Sequence, residues 1–179
     1  MTMRRFTTLL LAVLLVVSLA GCGKEKVEPL DQDIVLNLYV AKQAAGPAIE
    51  LVEMFKSVSP KTGIAVTFDD GKTLAAKIEA GYACDIFICD EQSFMDWLDG
   101  SKGEDVNPNG NDRILSDTRT DLFIGPVNED YGLDRSETTF CVAGVKSTAY
   151  AAEVQKFIDL MKSERATEVY ERYELTPVE

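Results

Sequence analysis

The sequence predicts an α/β fold built on a mostly parallel sheet, and three observations carry that reading. Strand and helix patterns alternate three times between residues 33 and 98, the order that builds parallel sheets through right-handed crossovers. The first strand, DIVLNLYV (33–40), is a nearly unbroken apolar run, as a strand buried on both faces requires. The chain beyond its apolar N-terminal segment has the length of one domain with a core of its own.

The elements follow in order. In GPAIELVEMFKSV, Ala48, Leu51, Val52 and Phe55 fall at i, i+3, i+4 and i+7, and Pro47 suits a first helical turn. GIAVTF (63–68) reads as the second strand. KTLAAKIEAG reads as a short helix with Leu74 and Ile78 on one face and Gly81 as its stop. CDIFIC (84–89) is the third strand. DEQSFMDWLDG is the third helix, with Asp90 as N-cap and Phe94, Trp97 and Leu98 turned inward. SKGEDVNPNGND is rich in turn residues. RTDLFIGPV and TTFCVAGV supply a fourth and fifth strand, joined by the polar NEDYGLDRSE, which has no hydrophobic period. Two amphipathic helices close the chain, marked by Val154, Phe157, Ile158 and Met161, then by Ala166, Val169, Tyr170 and Tyr173.

The N-terminus points to export. Arg4 and Arg5 precede FTTLLLAVLLVVSL, an apolar stretch too short for a comfortable membrane span. It ends in LAGC, which resembles the bacterial lipobox. That resemblance makes 1–21 a lipoprotein signal peptide and Cys22 the lipid attachment point. Residues 22–33 then form a polar tether, and 34–179 a single lobe held by its lipid on the outer face of a cell membrane. The formal net charge is −12, a poor basis for binding nucleic acid.

Composition also removes chemistries. The chain has no histidine, which excludes Ser-His-Asp and Cys-His nucleophiles and the usual zinc hydrolase sites. No metal-ligand spacing, no dinucleotide fingerprint and hence no cofactor is expected. The GKT of FDDGKT imitates a phosphate loop, but the glycine that motif needs five residues before Gly71 is Val66. The expectation is a protein that is not an enzyme. Cys84 and Cys89 share one strand, about 16 Å apart, too far to bridge each other. Cys141 is free to pair with either.

An open parallel sheet collects ligands at the carboxyl ends of its strands. Three strand-to-helix turns converge there: 41–46, 69–73 and 90–92. Their helix N-termini offer free N–H groups to an anion, with Lys42 and Lys72 as added positive charge.

FDDGKTLAAKIEAGYACDIFICDEQSFMDWL and the closing VQKFIDLMKSERATEVYERYELTP resemble the periplasmic molybdate-binding proteins of ABC importers. The resemblance spans 34–126 and 138–177. It implies one lobe of a type II solute-binding-protein fold: three α/β/α layers and five strands, the last returning antiparallel beside the third. It implies molybdate or tungstate as ligand and an ABC permease as partner, with Gln43 and Gly71 at the family's ligand positions; the converging turns add Lys72, Thr73 and Asp90 to the expected ligand-binding set. The same topology implies a disulfide between Cys89 and Cys141. Two departures stand out. Gln43 and Gly71 occupy positions where the family has ligand serines, and NEDYGLDRSE replaces its inserted second lobe. Oxyanion capture is therefore open. The alternatives are a membrane-anchored interaction module, including a homodimer that rebuilds a two-sided cleft, and a divalent-cation site on Asp69, Asp70, Asp90 and Glu91.

Overall fold

The structure, a computed structural model, describes residues 33–126 and 137–178. The leader, Cys22, the tether and nearly all of the NEDYGLDRSE connection lie outside the described residues.

Strand β1 (Ile34–Ala41) leads through a 3-10 turn (Lys42–Ala44) into helix α1 (Ala45–Val58). Then come β2 (Thr62–Asp69), α2 (Gly71–Glu79), β3 (Ile86–Cys89) and α3 (Gln92–Leu98). Strands β4 (Ile114–Pro126) and β5 (Glu137–Val145) precede helices α4 (Ala151–Met161) and α5 (Glu164–Arg172), and β6 (Thr176–Pro177) ends the fold. The sheet order is β2-β1-β3-β5-β4-β6. β1 runs parallel to β2 and β3, whereas β5 is antiparallel to both β3 and β4.

The expected α/β/α lobe is therefore present, with the returning strand where it was expected. The sheet has six strands rather than five. Thr176 and Pro177 pair with Ile124 and Phe123, and a two-residue strand carries no periodicity to read. β4 also begins at Ile114, earlier than its apolar run suggests. β3 is shorter than CDIFIC, because Cys84 and Asp85 precede it. Asp85 instead anchors the strand. Its buried carboxylate accepts from the Asn37 backbone N–H at 2.7 Å and the Asn37 side chain at 3.1 Å.

Alternation along the strands separates two cores. Leu36, Leu38, Val40, Ile86, Ile88 and Val142 face α1, α4 and α5. Tyr39, Phe87, Cys89, Cys141, Ala143 and Val145 face α2 and α3. The first core is fastened by Phe55 and Phe157, whose rings meet edge-on at 5.0 Å, a favoured aromatic geometry. In α3 the fully buried residues are Met95 and Leu98, while Phe94 and Trp97 are only partly covered. Tyr173 is likewise largely exposed. It stands just past α5, where its hydroxyl donates to Glu50 at 2.9 Å. Helix ends obey their local rules. Ser163 caps α5 by accepting from the Ala166 N–H. Gly81 takes φ +83° after α2, and the Tyr82 N–H returns to the Lys77 carbonyl, the left-handed stop that glycine permits.

The turn-rich stretch after α3 is organised by two buried polar residues. Asp99 accepts from the Ser101 N–H at 2.9 Å, from the Ser101 hydroxyl at 2.7 Å and from the Ser116 hydroxyl at 2.7 Å. Asn107 donates to the carbonyls of Asp99 and Asn111 and accepts from the Asn111 N–H. The loop closes on itself and delivers the chain to β4.

Candidate functional site: the carboxyl ends of strands one to three

Register alone brings the three turns together. Ala41 pairs with Asp69 at the ends of β1 and β2, and Val40 pairs with Ile88 near the end of β3. Each strand then turns directly into a helix or helical turn, so the expected convergence is present. Two contacts bridge the turns. Lys42 Nζ lies 2.8 Å from Asp70 Oδ1, joining the first turn to the second. Gly71 meets Asp90, joining the second to the third.

That second contact explains the glycine. A Cβ on Gly71 would stand 2.5 Å from Asp90 Oδ1, 3.1 Å from Cys89 Sγ and 3.2 Å from a ring carbon of Phe94. A side chain at position 71 would require the Asp90 carboxylate to turn away, and this chain has the glycine.

Asp90 is not the N-cap that its position suggested. Glu91 occupies that place at α3, without a side-chain capping bond. Asp90 lies instead across the first turn of α2, and its carbonyl accepts from the Thr138 hydroxyl of β5 at 2.5 Å. Burial pushes its carboxyl above the usual aspartate value, and the negative charges of Glu91 and Asp70 push in the same direction. Its own backbone N–H and the Cys89 thiol oppose that only in part.

The remaining site positions divide by exposure. Gln43 has its side-chain Oε1 buried with no hydrogen-bond partner, an acceptor awaiting a donor. Lys72 and Thr73 are exposed on the first turn of α2, and Lys72 makes no ion pair among the described residues. Asp69 is held by Lys77 at 2.8 Å and accepts from the Asp70 N–H at 3.0 Å. The Lys77 hydrogen bond foremost, then that N–H, holds its carboxyl below the usual range.

These pairings dissolve the acidic cation site. Asp69 turns to Lys77, Asp70 to Lys42, and Glu91 accepts from the Ser93 hydroxyl at 2.5 Å. Among the described residues no three histidines, cysteines or acids are grouped to hold a metal ion. Sequence reasoning did not anticipate the Lys42–Asp70 and Lys77–Asp69 pairs or the Gly71–Asp90 contact. Lys42–Asp70 and Gly71–Asp90 depend on which turns become neighbours and Lys77–Asp69 on the direction in which α2 leaves β2; the sole local signal was a glycine at a helix start.

A groove of about 690 Å³ opens elsewhere, between β4 and the α4–α5 corner, lined by Thr120, Leu122, Met161, Thr167 and Tyr170 among others. None of Gln43, Gly71, Lys72, Thr73 or Asp90 lines it.

No family model matches the chain, and no curated protein matches it. Solved structures do. A substrate-binding domain assigned to a molybdenum ABC transporter of Clostridium difficile superposes with a TM-score of 0.66 at 16% identity, covering 82% of this chain and 100% of that one. The periplasmic molybdate-binding protein of Azotobacter vinelandii gives 0.64 at 10% identity, covering 80% and 100%. The sulfate-binding protein SubI of Mycobacterium tuberculosis H37Rv gives 0.61 at 6% identity, covering 82% and 88%. Likeness at such low identity establishes the fold, a lobe of the periplasmic-binding-protein type.

Proposed function

We propose that this chain is an exported, lipid-anchored solute-binding protein that presents a small oxyanion, of the molybdate or tungstate class, to an ABC permease. The observation that carries the reading is the meeting of three strand-to-helix turns at one edge of the sheet, bridged by Lys42–Asp70 and Gly71–Asp90. In open α/β sheets this is where ligands bind. The fold's likeness to molybdate- and sulfate-binding proteins supports the same class of solute. The lipobox-like LAGC supplies the anchor through Cys22. Among the described residues no helix is long and apolar enough to cross a membrane.

The site binds rather than reacts. Free N–H groups on the first turn of α2 and the Lys72 ammonium serve an anion, with the Gln43 side-chain amide N–H and the Thr73 hydroxyl as neutral donors. Asp90 sets the terms. Its ionised carboxylate repels an oxyanion approaching the same turn, so a fully deprotonated dianion binds when Asp90 carries a proton. The raised pKa of Asp90 brings that protonated form closer to neutral pH.

The test is thermal stabilisation of the full chain by molybdate, tungstate, sulfate, calcium and magnesium, at about pH 5 and about pH 8. Ligand at a hundred times its dissociation constant stabilises by about 2.7 kcal/mol, a shift of several degrees. The expected result is a shift with molybdate or tungstate that is larger at the lower pH. Absence of a shift with every oxyanion at both pH values overturns the reading and leaves the interaction module.

A further inference from the structure

We infer that Cys89 and Cys141 are linked by a disulfide in the exported protein, a covalent tie between β3 and β5 that forms the floor of the oxyanion site, with Cys84 remaining a thiol. The inference rests on export but not on which solute is bound.

Position carries it. Cys89 and Cys141 are directly opposed in the antiparallel β3–β5 ladder, so both side chains leave the same face of the sheet, and both belong to the core beneath α2 and α3. Directly opposed antiparallel partners stand with Cα atoms about 4.5–5.5 Å apart, inside the range of about 4.4–6.8 Å that a disulfide spans. Their Cβ atoms must close to about 4 Å, a small inward movement of two short side chains. In the structure Cys84, Cys89 and Cys141 are free thiols: Cys141 Sγ lies 3.8 Å from the Cys89 carbonyl oxygen and Cys89 Sγ lies 3.3 Å from the Glu91 carbonyl oxygen, so the bridge requires the Cys89 thiol to leave that carbonyl.

Cys84 is excluded by the same ladder. It precedes β3 and lies outside the register that pairs Cys89 with Cys141. All three sulfurs are buried, and burial raises each thiol pKa. In the folded lobe a thiolate is therefore scarce and an oxidant has no access. The bond forms while β5 docks on β3 during folding outside the cytoplasm. Each thiol gives up its proton, and the sulfur pair gives two electrons to the disulfide of an external thiol oxidoreductase, which leaves as two thiols.

The consequence reaches the site. Cys89 Sγ lies 3.1 Å from where a Cβ would stand on Gly71, and the next residue is Asp90. The bridge thus fixes the end of β3 on which the Asp90 carboxylate is mounted.

The experiment uses the full chain, exported with its own leader from a bacterial host that makes lipoproteins. Cells are quenched in acid, free thiols are blocked with N-ethylmaleimide in denaturant, and the protein is reduced and labelled with iodoacetamide before peptide mass analysis. The expected result is iodoacetamide on Cys89 and Cys141 and N-ethylmaleimide on Cys84. N-ethylmaleimide on both Cys89 and Cys141, or a bridge that includes Cys84, overturns the inference. Two further readouts guard against misfolded material. C84S must keep the same labelling, and dithiothreitol must lower the melting temperature of the oxidised protein by several degrees. An unchanged melting temperature counts against the bridge. No solute enters these readouts, so their failure and that of the oxyanion reading are separate events.

Discussion

Asp90 Oδ1 lies 2.5 Å from the point where a Cβ would stand on Gly71, so the third turn of the sheet edge rests on the second with the carboxylate filling the space beside position 71. It also puts a titratable charge beside the N-terminus of α2.

Gly71→Ala costs about 1–3 kcal/mol of stability, the range for forcing atoms into a filled space. The cost shrinks when Asp90→Ala is introduced as well, because the colliding carboxylate is gone. Urea unfolding of the two single variants and the double variant measures the coupling. Additive effects would show that Asp90 does not press on Gly71.

Asp90 gives stability a characteristic pH dependence. Its pKa is raised in the fold, so its contribution is complete below the ordinary aspartate range. That contribution is lost as pH rises through the raised value, where the folded state must ionise a buried carboxyl beside Glu91 and Asp70. Asp69 and Asp99 work in the opposite sense, with lowered pKa values whose benefit disappears as pH falls. The difference between wild type and Asp90→Asn isolates the first effect. Wild type should lose ground to the variant as pH rises from about 4 to about 7. A difference that stays constant across that range would remove Asp90 as a titrating group.

Asp99 anchors the long loop before β4. Burial works against its charge, but the hydroxyl and N–H of Ser101, the Ser116 hydroxyl and the charge of Arg119 more than compensate. Asp99→Ala leaves those donors without their common acceptor and costs about 2 kcal/mol, in the range for hydrogen bonds to a charged group. Hydrogen exchange should show the loss concentrated in residues 99–116, with the α1–α4 side of the sheet protected as before. Uniform loss of protection would mean that the loop does not unfold locally.

The chain revealed its layers more readily than its site. The three β–α alternations were legible because DIVLNLYV is apolar throughout and Ala48, Leu51 and Phe55 repeat at helical spacing. The start of β4 was not, because Ile114–Thr118 is mostly polar and its register against β5 shifts between Leu115 and Thr120. β6 has too few residues to show a period. At the site, sequence order identified which turns meet, so Gln43, Gly71, Lys72 and Asp90 were named together. The direction of Asp90 was not legible. A residue before a short helix reads as its cap, and only the packing of β3 beside β1 turns it toward Gly71. The Lys42–Asp70 pair depends on β1 and β2 ending side by side and the Lys77–Asp69 pair on how α2 leaves β2, so the acids of one sequence cluster turn to separate partners in space.

The most direct test of the oxyanion account is the molybdate affinity of wild type, Asp90→Asn and Lys72→Ala, measured by calorimetry on the full chain near neutral pH. The account predicts that Asp90→Asn binds at least about tenfold tighter than wild type, a gain of about 1.4 kcal/mol, and that Lys72→Ala binds more weakly. Equal or weaker binding by Asp90→Asn, or no binding by any of the three, would contradict it.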